Sequence, residues 1–359
     1  MVSLNDLPLR DDLRGLSPYG APQKAVRVAL NVNENTHPIP EEVARDITAS
    51  LTETVSHLNR YPDREFTHLR ESLAHYLGAG LAPEQLWAAN GSNEVLQQVF
   101  QAFGGPGRRA LGFDPTYSMY QILARGTGTA WVAGTRDDGY LLSADTAVRQ
   151  VQEHAPDIVL LCSPNNPTGT PLALETIEAV YDATKSMVIV DEAYGEFAGP
   201  DAVSAATLLP GRERLLVSRS MSKAFAFAGV RLGYLAADPA VIDALRLVRL
   251  PYHLSTLTQV AALAALRHSD SLLETVADII LQRDRIVEVL GELGFSAIPS
   301  ATNFVLFGGV KNPAELFQQL LERGILIRDP GIPGHLRVTA GTEQETTAFL
   351  AALTEITAG

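Results

Sequence analysis

The middle of the chain alternates short apolar runs with amphipathic stretches, and this alternation restricts the fold more than any other property of the 359 residues. It is the mark of a mostly parallel sheet covered by helices. The pattern predicts strands over residues 109–113, 158–162, 187–190, 215–218 and 232–236. Between them, helical periodicity predicts a helix over 93–103, where Leu96, Val99, Phe100 and Phe103 make one apolar face. Further helices are expected over 147–154 and 174–185.

From 257 to 293 the chain reads as one long, nearly uninterrupted helix with Gly294 as its stop. Short strands over 304–307 and 336–339 follow, with helices over 313–323 and 343–356, the pattern of a small α+β unit. The first stretch is rich in proline, glycine and asparagine and reads as an arm plus a crossing segment. The expected fold class is therefore α/β: a large domain whose mostly parallel sheet is sandwiched by helices, plus a smaller α+β domain. The expected boundaries are 1–35 for the arm and crossing segment, 36–262 for the large domain and 263–359 for the small one. A chain of this length can bury one large core or two moderate ones.

Charge narrows the partners. With 28 basic and 41 acidic residues, the net charge of −13 argues against broad nucleic-acid binding and against attachment to anionic membrane. Anionic small molecules stay open, because a local arginine cluster can override the global sign. Cys162 is the single cysteine, so no intrachain disulfide is possible and a reducing cytoplasm is the expected setting. It ends an apolar run and reads as a small buried residue. The N-terminal segment mixes Asp6, Arg10, Asp11, Asp12 and Arg14 with prolines and lacks an apolar signal region, which predicts no signal peptide. No stretch approaches the apolar length needed to span a bilayer. The histidines show no metal-ligand spacing, and no metal site is expected.

Polar residues stand at several strand ends, where ligands bind in open α/β sheets. The run Ser220-Met221-Ser222-Lys223 followed by Arg231 puts two hydroxyls and a guanidinium around a lysine. This is the chemistry of a lysine that forms a Schiff base with pyridoxal phosphate while its neighbours grip the phosphate. Asp191 closes the run Met187-Val188-Ile189-Val190, and a carboxylate there is costly unless it meets a cation. A pyridinium nitrogen would be such a cation, and Tyr194 could then hydrogen-bond the ring's phenolic oxygen. Asn166, in Ser163-Pro164-Asn165-Asn166-Pro167-Thr168-Gly169, can present an amide donor. Gly91-Ser92-Asn93-Glu94 before a helix suits anion binding, although an N-cap role explains Ser92 and Asn93 equally well. Tyr117, in Asp114-Pro115-Thr116-Tyr117, could stack on a planar ring or simply fill the core.

Taken in order, these motifs resemble the pyridoxal-phosphate aminotransferases of the aspartate aminotransferase fold (fold type I). Within them the chain is most similar, over essentially its whole length, to the histidinol-phosphate aminotransferase branch. Ser17-Pro18-Tyr19, Asn31-Val32-Asn33-Glu34-Asn35, Leu58-Asn59-Arg60-Tyr61-Pro62-Asp63, Ile327-Arg328-Asp329 and the run from Leu336 to Thr342 carry that likeness. Thr36 stands where proline is common, and Ser220 where many members have threonine.

The resemblance implies a homodimeric transaminase that moves an amino group between histidinol phosphate and 2-oxoglutarate, or in reverse, in histidine biosynthesis. It implies that Lys223 holds the cofactor and moves the substrate proton. Asp191 would meet the pyridine nitrogen, Tyr194 and Asn166 the ring oxygen, and Tyr117 the ring face. Ser220, Ser222, Arg231 and the amides of Ser92 and Asn93 would bind the cofactor phosphate, with Tyr61 arriving from the partner subunit. Arg337 would take the glutamate carboxylate, for which a planar fork suits bidentate contact. Asn166 also borders the substrate, and Tyr19 and Arg328 would meet the substrate phosphate, with a merely solvated Arg328 beside Asp329 as the alternative. The rival on the same scaffold is an aromatic amino-acid aminotransferase, which needs no phosphate site. A phosphoamino-acid decarboxylase and a cofactor-sensing transcription regulator are further alternatives, the latter lacking a basic DNA-binding domain here.

Overall fold

The computed structural model describes residues 2–358. An extended N-terminal segment leads into the short strand β1 (Val28–Ala29) and the helices α1 (Glu41–Val55) and α2 (Thr67–Leu77). Next come β2 (Leu86–Ala89), α3 (Ser92–Phe103), β3 (Arg109–Asp114), α4 (Met119–Thr127) and β4 (Ala130–Thr135). The chain continues through α5 (Ala144–His154), β5 (Ile158–Cys162), α6 (Leu174–Ala183), β6 (Met187–Asp191), β7 (Leu215–Ser220) and β8 (Gly233–Ala237).

Seven of these strands form one sheet in the order β2-β8-β7-β6-β5-β3-β4. Neighbours from β4 to β7 pair in parallel, while β8 is antiparallel to both β7 and β2. The central strands read as apolar runs because they are covered on both faces; every residue of β5 is buried. Two strands of this sheet lie outside the sequence expectation. β2 is only four residues long, and β4 is an edge strand, largely solvent-facing and interrupted by Gly134. The register then sets up the chemistry: Cys162 pairs with Asp191, and Asp191 with Ser218. Three side chains at the carboxyl ends of β5, β6 and β7 therefore stand in one row.

After β8 follow α7 (Pro239–Val248), α8 (Thr256–Arg267) and α9 (Ser269–Glu292). The single helix expected over 257–293 is thus two helices. His268 leaves helical backbone at φ −118° and ψ 28°, and its Nε2 lies 2.9 Å from Asp46 of α1. The same carboxylate holds Arg267 at 2.9 Å. This tertiary pairing breaks the helix at a point where the apolar periodicity runs straight through.

The remainder comprises β9 (Ser296–Ala297), β10 (Phe304–Gly308), α10 (Pro313–Glu322), β11 (Ile325–Leu326), β12 (Leu336–Thr339) and α11 (Glu343–Ala358). β12, β10 and β9 make a three-stranded antiparallel sheet. β1 pairs in parallel with β11, which fastens the crossing segment to the C-terminal unit. Among the described residues, no helix is long and apolar enough to cross a membrane, and no cluster of side chains could hold a metal ion.

Candidate active site

The carboxyl ends of β5, β6 and β7 open into a cavity of about 300 Å³. Asp191 lies at its base, 2% exposed. Its Oδ2 accepts a hydrogen bond from the Tyr120 hydroxyl at 2.7 Å, and its Oδ1 accepts one from Ser218 at 3.0 Å. Burial raises the carboxyl's pKa, while these hydroxyls and the Ala193 amide pull it back down.

Lys223 follows the turn after β7, and its amine donates to the Val32 carbonyl at 3.1 Å. Burial, and then the charge of Arg337, push this amine down to about 8. Beside it the Ser222 amide donates to the Ser220 hydroxyl at 3.1 Å, and Arg231 donates to the Ser222 hydroxyl at 3.4 Å. The N-terminus of α3 faces the same space through Ser92 and Asn93. Two glycines allow this convergence. A Cβ on Gly91 would lie 2.5 Å from the Arg231 guanidinium, and one on Gly233 would lie 2.0 Å from the Ser92 nitrogen. The result is a cradle of amides, hydroxyls and one guanidinium, suited to a phosphate.

A second network crosses from the central sheet to the C-terminal unit. The Tyr194 hydroxyl accepts from Asn166 at 3.2 Å and from Asn33 at 2.9 Å. Arg337 in turn donates to the Asn166 carbonyl oxygen at 2.6 Å and to the Asn31 carbonyl at 3.0 Å. Its guanidinium lies 4.9 Å from the centre of the Phe304 ring, and its Nε is buried without a partner. Burial lowers its pKa to about 10, so it stays protonated at neutral pH. At the cavity mouth Arg328 sits 5.9 Å from the centre of the Tyr19 ring, and Tyr19 is 52% exposed. Arg328 and Arg337 exchange backbone hydrogen bonds, both 2.9 Å long, so the two cations come from one backbone pair. Tyr117 lines the cavity, and its hydroxyl donates to Asn93 at 3.2 Å.

The family model for aminotransferase class I and II matches residues 26–353. The chain belongs to the class I and II aminotransferase family. It is 63% identical to the histidinol-phosphate aminotransferase of Paenarthrobacter aurescens, over 98% of this chain and 95% of that protein. It is 56% identical to the histidinol-phosphate aminotransferase of Thermobifida fusca, over 98% and 96% of the two. The histidinol-phosphate aminotransferase of Sinorhizobium meliloti, solved with pyridoxal-5'-phosphate, has the same fold. Its TM-score is 0.86 at 24% identity, with 98% of each chain covered.

The cofactor of an aminotransferase is pyridoxal phosphate, and the residues present fit it. Asp191 is a buried carboxylate whose partners among the described residues are two hydroxyls and an amide, with no basic side chain. A pyridinium nitrogen would complete it. The glycine-lined cradle beside Arg231 fits a phosphate, and Lys223 lies in the same cavity.

Of the residues singled out from sequence, the structure gathers all but one around this cavity. Tyr61 lies elsewhere, 80% exposed and stacked on Tyr252 at 4.4 Å between ring centres. Four participants carried no assigned role: Tyr120, Ser218, Asn33 and the Val32 carbonyl. Asn33 and Val32 sit inside the Asn31–Asn35 motif, so a signal was present without a function. Tyr120 follows Tyr117 by three residues at a helix start, where it is indistinguishable from a core aromatic.

Proposed function

We propose that this aminotransferase acts on histidinol phosphate and glutamate, exchanging the amino group with imidazole-acetol phosphate and 2-oxoglutarate in histidine biosynthesis. The observation that carries the reading is the paired Arg328 and Arg337, two guanidiniums at one cavity beside a lysine amine. Such a site accepts a phosphate and a carboxylate in alternation, which suits a two-substrate exchange.

Pyridoxal phosphate, when bound, supplies the electron sink for negative charge developing at substrate Cα. Lys223 Nζ, poised near neutrality and aimed by the Val32 carbonyl, would hold the cofactor through its aldehyde carbon and then carry the proton from substrate Cα to that carbon. Asp191 stabilises a proton on the pyridine nitrogen. Tyr194, itself fixed by Asn33 and Asn166, donates to the ring's phenolic oxygen. Tyr117 covers one face, and Ser92, Asn93, Ser220, Ser222 and Arg231 hold the phosphate. Arg337 takes the glutamate carboxylate with Asn166 beside it, while Tyr19 and Arg328 take the substrate phosphate.

The enzyme is read here as a cytoplasmic homodimer, with Tyr61 completing the phosphate site of a second copy. Its exposure supports this, as does that of the apolar Leu247 and Leu250. The division at 1–35, 36–262 and 263–359 belongs to the same proposal, with β1 bridging the first and last parts.

The deciding experiment adds histidinol phosphate to the cofactor-loaded enzyme and follows conversion of the visible spectrum to that of the pyridoxamine form. Efficient conversion is expected, with a loss of efficiency in Arg328→Ala. Equal efficiency with phenylalanine, unaffected by Arg328→Ala, would move the assignment to aromatic amino acids.

A further inference from the structure

We propose that Tyr120 is a positioning residue, which keeps Asp191 ionised and turned toward the bound pyridine ring. This rests on the reading of Asp191 as the partner of the pyridine nitrogen. Tyr120 is fully buried in the first turn of α4, and its only phenolic proton points at Asp191 Oδ2 from 2.7 Å. Ser218, next to Asp191 in the β6–β7 register, covers Oδ1 from 3.0 Å. Both oxygens therefore accept, and a carboxylate that accepts on both oxygens is matched in its ionised form.

The Ala193 amide adds a backbone donor, but no other side chain near Asp191 does this work. The titratable groups facing it are the Cys162 thiol from β5 and the phenols of Tyr117 and Tyr194, while the Arg136 guanidinium lies beyond Tyr120 and Cys162 and donates to the Phe113 carbonyl. Neighbouring Glu192 turns to the other face of the sheet, where Arg219 holds it at 2.8 Å. None of the groups facing it supplies positive charge. Without the two hydroxyls, burial would be opposed by the Ala193 amide alone and would favour the protonated acid, which cannot attract a proton on the ring nitrogen. Tyr120 also meets Tyr117 edge-on, with ring centres 5.4 Å apart and planes at 90°. One side chain thus braces both the carboxylate at the ring's edge and the aromatic over its face.

The test measures pyridoxamine phosphate binding to the cofactor-free protein, from weakly acid to neutral pH, in a cycle of Tyr120→Phe, Asp191→Asn and the double variant. Tyr120→Phe is expected to weaken binding about tenfold, the scale of one charge-assisted hydrogen bond. The loss should be larger toward acid pH, since removing a donor raises the Asp191 pKa. In the Asp191→Asn background the same substitution should change little, because there is no carboxylate left to hold. Ser218→Ala, acting on the other oxygen, should shift binding in the same direction and serves if Tyr120→Phe does not fold. Unchanged binding in both hydroxyl variants, or an equal loss with and without the Asp191 carboxylate, overturns the proposal. If Asp191→Asn itself binds as tightly as wild type, the pyridine-partner reading fails and the proposal falls with it.

Discussion

At the scale of single residues, Lys223 sets the clearest expectations. Lys223→Ala should abolish turnover and remove the visible absorbance that arises from the lysine–cofactor linkage; normal steady-state activity would refute its role. Asp191→Ala should slow Cα proton abstraction by orders of magnitude, as read in single-turnover kinetics, because the electron sink weakens. The lysine also titrates in a useful range. Its amine is pushed down to about 8 by burial and by Arg337, against about 10.4 for a free lysine. Between those values the unfolded chain binds more protons than the folded one, so this lysine's contribution to stability rises with pH across that window. Below it the penalty for burying the charge is present in full. The neutral amine is also the nucleophile, so cofactor uptake by the cofactor-free protein should accelerate with pH around 8. Arg337→Gln should move that midpoint upward, measured by the growth of visible absorbance; a downward or absent shift would mean that Arg337 does not act on the amine. Sequence alone singled out Lys223 and Asp191, since a lysine among hydroxyls and an acid after an apolar strand are chemically odd. Tyr120 and Ser218 were silent there, because an aromatic in a helix and a serine in a strand look ordinary until register places them against Asp191.

At the scale of elements, the ends of β6 and β7 are pinned from behind. Ser218 meets Asp191 and Ser220 lines the cavity, while Arg219 between them points to the opposite side, as strand alternation requires. There it pairs with Glu192 at 2.8 Å and Glu196 at 2.9 Å, all three largely buried. Arg219→Met should cost about 3–5 kcal/mol in urea unfolding, because it strands two carboxylates away from water. The cradle has a similar dependence on packing. Gly233→Ala would drive a methyl into the first amide of α3, at a cost of about 1–3 kcal/mol. Its sharper signature should be weaker binding of pyridoxal phosphate than of pyridoxal, judged by fluorescence titration. Elements with strong internal signals were legible: β5 and β12 have the limits expected from their apolar runs. Those defined by partners were not, since β4 is half-solvated at an edge and the α8–α9 break depends on Asp46 from a distant helix.

For the whole molecule, the proposed dimer makes a direct prediction. Sedimentation should show two copies, and Tyr61→Phe should weaken cofactor binding about tenfold if its hydroxyl reaches a phosphate. Mixed dimers of Lys223→Ala with Tyr61→Ala should regain activity, because one composite site is then intact; no recovery would argue for self-contained subunits. The general plan of a sheet-based large part with a smaller C-terminal part was readable from period and order. What the sequence left open was how distant segments meet, as when Asn33 and Asn166 converge on Tyr194. The Arg328–Arg337 pair has a consequence for how such an enzyme can change over evolutionary time. Because both guanidiniums hang from one antiparallel bridge, their separation is inherited from backbone and not tuned side chain by side chain. Of the eight residues between them, those away from the bridge and from cavity-lining Pro330 can vary in composition, leaving the choice of amino donor untouched. A one-residue slip of the bridge itself would misplace both anion sites at once, so the two substrate preferences are built to be kept or lost together.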